Sequence, residues 1–205
     1  MDDLRCPDCG IAYVKESVED RRIHRTYHDE ALNGIPGAPL RSERTIWRQR
    51  DERIFLVTPA SPKPERVRAR KVAGLANREM HHDFGIYNEH EPPDKRDLHL
   101  FLNGVRDRLV GLAIFERRDH VCRVTWEEYD RREPKELAPA SPVWSFGFAW
   151  VHRKYRRQGI AHRLFHEGLV FLKVTPEDMG VYTPFSEEGE KLARSLFPTG
   201  FLVAK

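Results

Sequence analysis

The chain is predicted to fold as a mixed α/β domain preceded by a small metal-stapled module. Three observations predict this. Apolar runs of strand length alternate with segments of helical periodicity from Ile54 to Val203; two cysteines and two histidines stand in a first stretch that has almost no core; and a basic, glycine-containing turn joins a strand to a helix near Arg157. With 205 residues, the chain is long enough for one medium core plus an appendage. Apolar residues at 40% and charged residues at 33% describe a globular protein with a densely charged surface, and a net charge of +3 permits a nucleic-acid or acidic partner without requiring one.

No run approaches the roughly 18 apolar residues of a membrane span, and the start, Met1-Asp2-Asp3-Leu4-Arg5, lacks the order of a secretory signal. The expectation is a protein of the cytoplasm, or of the nucleus in a eukaryotic host, with no membrane partner. From Leu4 to Leu32 there is too little apolar surface for packing alone, so this segment needs a staple. The Gly/Pro-rich stretch Asn33 to Pro39 reads as a linker, and Arg41 to Arg53 is charged and patternless apart from Trp47. A boundary near residue 40 therefore divides a zinc module (1–40) from the main domain (41–205).

Ile54 to Thr58, closed by Pro59, reads as a buried strand, and Ser61-Pro62-Lys63-Pro64 as a helix start. Leu98–Leu102 and Leu109–Phe115 read as a hairpin turning at Asn103-Gly104, with the second strand restarting at Val121. Tyr129 to Pro142 reads as a solvated loop. Val143 to Val151 reads as a strand buried on both faces at the centre of the sheet. A helix from Ile160 to Leu172, a strand at Gly180–Thr183, a helix over 187–196 and a last strand at Phe201–Val203 complete the pattern.

Cys6-x₂-Cys9-x₁₄-His24-x₃-His28 offers two thiolates and two imidazoles, the four ligands of a tetrahedral structural zinc. His24 and His28 lie one helical turn apart and can face one ion. With four protein ligands the ion has no open position for catalysis. Downstream, Arg156-Arg157-Gln158-Gly159-Ile160-Ala161 follows a strand and opens a helix. Free backbone N–H groups there can hold a pyrophosphate, Gly159 allows close approach, and the arginines add charge.

With these residues in place the sequence resembles the cohesin acetyltransferase family, in which a Cys₂His₂ finger precedes a GNAT domain. The likeness rests on the finger, Arg53–Val57, Asp83-Phe84-Gly85, Leu109-Val110-Gly111 with Glu116, Trp150-Val151, Arg156-Arg157 with Ile160-Ala161, and Thr199 to Val203. It implies a GNAT fold with a mixed, mostly antiparallel sheet flanked by helices, and an N-acetyltransferase that uses acetyl-CoA on a protein lysine. It further implies acetyl-CoA contacts at Ala149, Trp150 and Val151, at Arg157, Gln158, Gly159, Ile160, Ala161 and His162, and at Ser186, Glu187 and Glu188.

The sequence departs from the family at the catalytic positions. Gly147 stands where members place a serine, and Pro184 where an acid or amide is common, which leaves Glu116 as the candidate base, directly or through a water. Glu127 and Glu128 read as solvated charges, and Tyr182 as a core aromatic with a possible role as general acid. Two other functions compete: a non-catalytic zinc-finger and CoA-binding module, and a small-molecule amine acetyltransferase. A second metal site at His81, His82 and His90 is discounted for want of a recognisable spacing.

Overall fold

The computed structural model describes residues 3–80, 97–132 and 135–204; His81, His82, Asp83–Gly85 and His90 lie outside them. The chain opens with a hairpin, β1 (Asp3–Arg5) and β2 (Ala12–Val14), followed by α1 (Val18–Asn33). Ser17 caps α1 by accepting from the Asp20 N–H at 3.1 Å, and Gly34, at φ +86, ends it.

The segment read as a linker does more than connect. Ile35–Pro36 form β3, which pairs antiparallel with Leu109 and Arg108. The charged stretch after it contains β4 (Arg44–Gln49), which pairs with β5 (Glu52–Val57). Its polarity fits its place at the sheet edge, where charge discourages further strand pairing. Helix α2 (Lys63–Met80) then packs Val72, Leu75 and Ala76 against the sheet.

β6 (Leu98–Val105) and β7 (Arg108–Val124) form the expected hairpin, but it turns at Arg106–Asp107 and not at Asn103-Gly104. The reason is local. Arg53 is buried beneath Gly104, where a Cβ would come within 2.6 Å of its guanidinium, and it donates to the Arg106 carbonyl at 2.9 Å. Gly104 thus serves a close approach inside a bulged strand. β7 runs unbroken through Val121.

The expected loop after Tyr129 is shorter than predicted. A helix, α3 (Trp126–Asp130), precedes it, and β8 (Ala138–Val151) already begins at Ala138. In β8 only Ser145 and Trp150 are buried, so it is not covered on both faces, and β7 rather than β8 holds the middle of the order β10-β9-β8-β7-β6-β5-β4. After β8 come α4 (Ile160–Leu172), β9 (Gly180–Val181), α5 (Glu187–Leu196) and β10 (Phe201–Ala204). One sheet face packs on α2, and the other receives Ile160, Leu164 and Phe165 of α4 and Ala193 of α5. No described helix is long and apolar enough to cross a membrane.

Candidate functional site: a strand fork beside a metal-binding knuckle

The knuckle begins with a turn in which the Gly10 N–H donates to the Cys6 carbonyl at 2.9 Å, with Gly10 at φ +74. Helix α1 brings His24 and His28 over it. The candidate ligand atoms of Cys6, Cys9, His24 and His28 all lie within 4.8 Å of one another, and Cys6 Sγ is 3.4 Å from His28 Nδ1. Tetrahedral zinc with ordinary ligand bonds spaces its donors by roughly 3.3–3.8 Å, so this set fits the ion with small adjustment. The buried His24 Nε2 has no hydrogen-bond partner. Backbone N–H groups led by that of Cys9 bring the Cys6 thiol down to about 6, whereas burial pushes the Cys9 thiol up.

The second site lies where two strands part. β9 follows β8 in parallel only through Ser145↔Gly180 and Phe146↔Val181, then diverges. Beyond that point Ala149, Trp150 and Val151 pair inward with Ala113, Leu112 and Gly111 of β7 and, among the described residues, have no strand on their outer edge. Trp150 itself is buried and donates its indole N–H to Glu79 at 3.0 Å, so its backbone rather than its ring is available to a ligand.

At the base of the fork the ladder skips a residue. Ile114 faces Phe148 and Phe115 faces Phe146, which leaves Gly147 as a bulge. Such an extra residue is left out of the ladder and re-aims its neighbours. Accordingly Phe146 packs toward the α4 side and Phe148 toward the α2 side.

Glu116 and Tyr182 converge on this bulge. The Tyr182 hydroxyl donates to Glu116 Oε1 at 2.5 Å, and the Arg118 guanidinium meets Glu116 Oε2 at 2.9 Å while lying 5.1 Å from the Tyr182 ring centre. Glu116 is buried, 8% exposed. A Cβ on Gly147 would sit 3.4 Å from Glu116 Oε1 and 3.5 Å from the Tyr182 ring. Burial, and then the bond to Glu116, push the Tyr182 hydroxyl well above its ordinary range, so it stays protonated.

The open end of the fork leads into the basic turn. Arg157 and Gly159 both take left-handed backbone conformations, φ +63 and +76, and α4 begins with no side-chain cap. Its first N–H groups are therefore free for an anion. Arg157 is held by Glu188 of α5 at 2.8 Å, and Glu187 pairs with Lys191. Ser186 caps α5, and His162 meets Ser195 at 2.9 Å. Gln158 lies in the turn, Ile160 is buried as the first core residue of α4, and Ala161 is half-buried beside it.

The fold brings the turn and the Ser186–Glu188 group together through Arg157–Glu188, while the metal ligands form a separate centre. Glu127 and Glu128 are occupied elsewhere. Glu128 closes a capping box with Thr125, and Lys135 with that cap drives its carboxyl down to about 2; Glu127 pairs with Arg131. What sequence reasoning did not show is the partner of Tyr182, Glu116, which is 66 residues away.

A family profile described as the zinc-finger of acetyl-transferase ESCO matches residues 2–30. The Saccharomyces cerevisiae N-acetyltransferase ECO1 is 24% identical over 234 residues, covering 93% of this chain and 82% of the yeast protein. The Mus musculus N-acetyltransferase ESCO2 is 28% identical over 166 residues, covering 78% of this chain but only 27% of the mouse protein. The solved xEco2 acetyltransferase domain bound to a K105-CoA conjugate has a TM-score of 0.62 at 21% identity, covering 80% of this chain and 97% of that one, which shows a shared fold. An ESCO finger, similarity that continues along most of the chain, and a GNAT sheet forked beside β8 make the chain similar to the ESCO-type N-acetyltransferases.

Proposed function

We propose that the protein transfers an acetyl group from acetyl-CoA to a lysine of a protein substrate, with Glu116 as the base and a structural zinc in the finger. The observation that carries this reading is the fork. It offers an unpaired strand edge from Gly147 to Val151, about 13 Å long at 3.3 Å per residue, with an anion-ready helix start at one end and a buried carboxylate at the other. In this reading residues 1–40 are the finger unit and 41–205 the acetyltransferase domain. The finger's part is structural, with no nucleic acid needed for the reaction.

Bound acetyl-CoA supplies an activated thioester; the chain supplies position and proton transfer. The outer edges of Ala149, Trp150 and Val151 align the pantetheine arm, and the turn from Arg157 to His162, with Ser186–Glu188 beside it, holds the phosphates. The bulge at Gly147 leaves backbone donors out of the ladder, where they can meet an oxyanion. Glu116 takes a proton from the acceptor ammonium. The freed amine then forms the C–N bond as the C–S bond breaks, and the departing CoA thiolate takes up the second proton that the nitrogen sheds as it becomes an amide.

Protein lysine is favoured over a small amine by the likeness to the xEco2 domain, which was solved bound to a K105-CoA conjugate. The test is Glu116→Gln, which keeps the shape and removes the basicity. Turnover with labelled acetyl-CoA is expected to fall roughly 10²-fold while acetyl-CoA affinity is retained. Unchanged turnover would assign the base elsewhere, and no transfer by wild type to lysine peptides, protein or small amines would leave a binding module.

A further inference from the structure

Glu116 is held at both oxygens, and by unlike partners. Tyr182 donates to Oε1 from the segment after β9, while Arg118, two residues along β7 from Glu116, meets Oε2. Arg118 is itself constrained: its side chain is 29% exposed, its Nε is buried without a partner, and its guanidinium lies over the Tyr182 ring. It is thus a cation placed against the two groups that converge on the bulge.

We infer that Arg118 is a positioning residue for the reaction: it anchors Glu116 Oε2 so that Oε1 stays aimed at the space over Gly147, where the acceptor nitrogen must arrive. The inference rests on the reading of Glu116 as the base. Residues alternate along a strand, so Glu116 and Arg118 project from the same side of β7 and can pair without distorting it. The register partners of Glu116 are Leu98 on β6 and Ser145 on β8, neither of them charged. The titratable groups set against Glu116 are therefore Arg118 on its own strand and Tyr182 beyond β9.

Without Arg118 the carboxylate loses the partner that fixes Oε2, and only the Tyr182 bond to Oε1 still orients it. The loss of Arg118 is then felt only while the Glu116 carboxylate is present, which separates this role from a merely structural one.

The experiment compares wild type, Arg118→Gln, Arg118→Lys, Glu116→Gln and the double variant Arg118→Gln/Glu116→Gln in steady-state acetyl transfer across pH, with acetyl-CoA affinity measured by calorimetry. Arg118→Gln is expected to lower kcat at its plateau roughly tenfold and to leave acetyl-CoA affinity unchanged. Arg118→Lys should restore part of the plateau, and in the Glu116→Gln background the Arg118 change should have almost no further effect. If Glu116→Gln slows turnover while Arg118→Gln leaves the plateau unmoved, the inference is overturned and the base reading stands. If Glu116→Gln has no effect, both fall. Equal losses from Arg118→Gln in the presence and absence of the Glu116 carboxylate, or a loss of acetyl-CoA affinity with kcat unchanged, would make Arg118 structural.

Discussion

At single residues the chain uses glycine for two different purposes. Gly159 adopts φ +76, a conformation that costs most side chains roughly 1–2 kcal/mol, yet a Cβ there would meet only Arg163 at an ordinary 3.7 Å. Its requirement is backbone shape, with room to spare. Gly159→Ala should therefore lower stability by about 1 kcal/mol with a modest effect on ligand. Gly159→Glu adds a negative charge where the phosphates are proposed to lie and should weaken acetyl-CoA by at least about tenfold. Titration calorimetry of both variants checks the placement, and equal affinity in wild type and Gly159→Glu would remove it. Gly147 differs: its neighbours are Glu116 and Tyr182, so a side chain there would enter the proposed reaction space. The departure from the family serine is visible in the sequence, but its consequence is not, because only the bulge brings position 147 against Glu116.

At the level of elements, α1 carries the finger's histidines and also fastens the finger to the sheet. His152, fully buried at the end of β8, donates from Nε2 to the Ala31 carbonyl of α1 at 3.0 Å and accepts the Lys154 N–H at Nδ1. The neutral ring satisfies both bonds, and a second proton would spoil one. Burial is the main cause that pulls the His152 pKa below its ordinary value, against the opposing pull of Glu79 at 4.0 Å. The sign follows: the unfolded chain takes up a proton that the folded chain refuses. Stability is thus fully present above the ordinary histidine pKa of roughly 6.5 and is lost as pH falls below it. Urea midpoints at about pH 7.5 and about pH 5.5 should fall further apart in wild type than in His152→Gln.

The finger has a separate dependence. Its hairpin and helix bury little apolar surface among the described residues, with Ala31 the one buried residue of α1, so the proposed zinc is expected to supply much of the local stability. Native protein purified without added metal should contain one zinc per chain, and Cys6→Ser/Cys9→Ser should contain none. Chelation should abolish amide protection in α1 while β5–β8 retain theirs. A folded sample with zinc near zero by elemental analysis would refute the ligand assignment.

Across the whole molecule, the sheet couples ligand binding to global stability. The fork is made of β8, whose other edge is welded to β7 from Gly111 to Val121, and the turn feeds α4, which packs into the same core. A ligand that binds only this folded arrangement stabilises by about 2.7 kcal/mol at a hundredfold excess over Kd, or roughly 5–10 °C in Tm for a chain of this size. Acetyl-CoA should raise the thermal midpoint of wild type by that order and leave Gly159→Glu nearly unmoved.

Much of this architecture is legible in the sequence because its information is local. The four zinc ligands sit at fixed spacings, the basic turn occupies six consecutive residues, and the helices α2, α4 and α5 show their period within a few turns. Longer-range competition hid the rest. The Asn103-Gly104 pair resembles a hairpin turn until Arg53, fifty residues earlier in the chain, takes the space against Gly104 and moves the turn to Arg106–Asp107. β3 and β4 carry too little apolar pattern to announce themselves, since a two-residue strand and a charged edge strand are defined by the neighbours they pair with. The sequence by itself thus displayed the four candidate metal ligands, the basic turn and the resemblance to the cohesin acetyltransferases. Only the tertiary structure decided that β9 leaves β8 at Phe146, and that Glu116, Arg118, Gly147 and Tyr182 meet there, because a register and a bulge depend on pairing between strands that no single segment encodes.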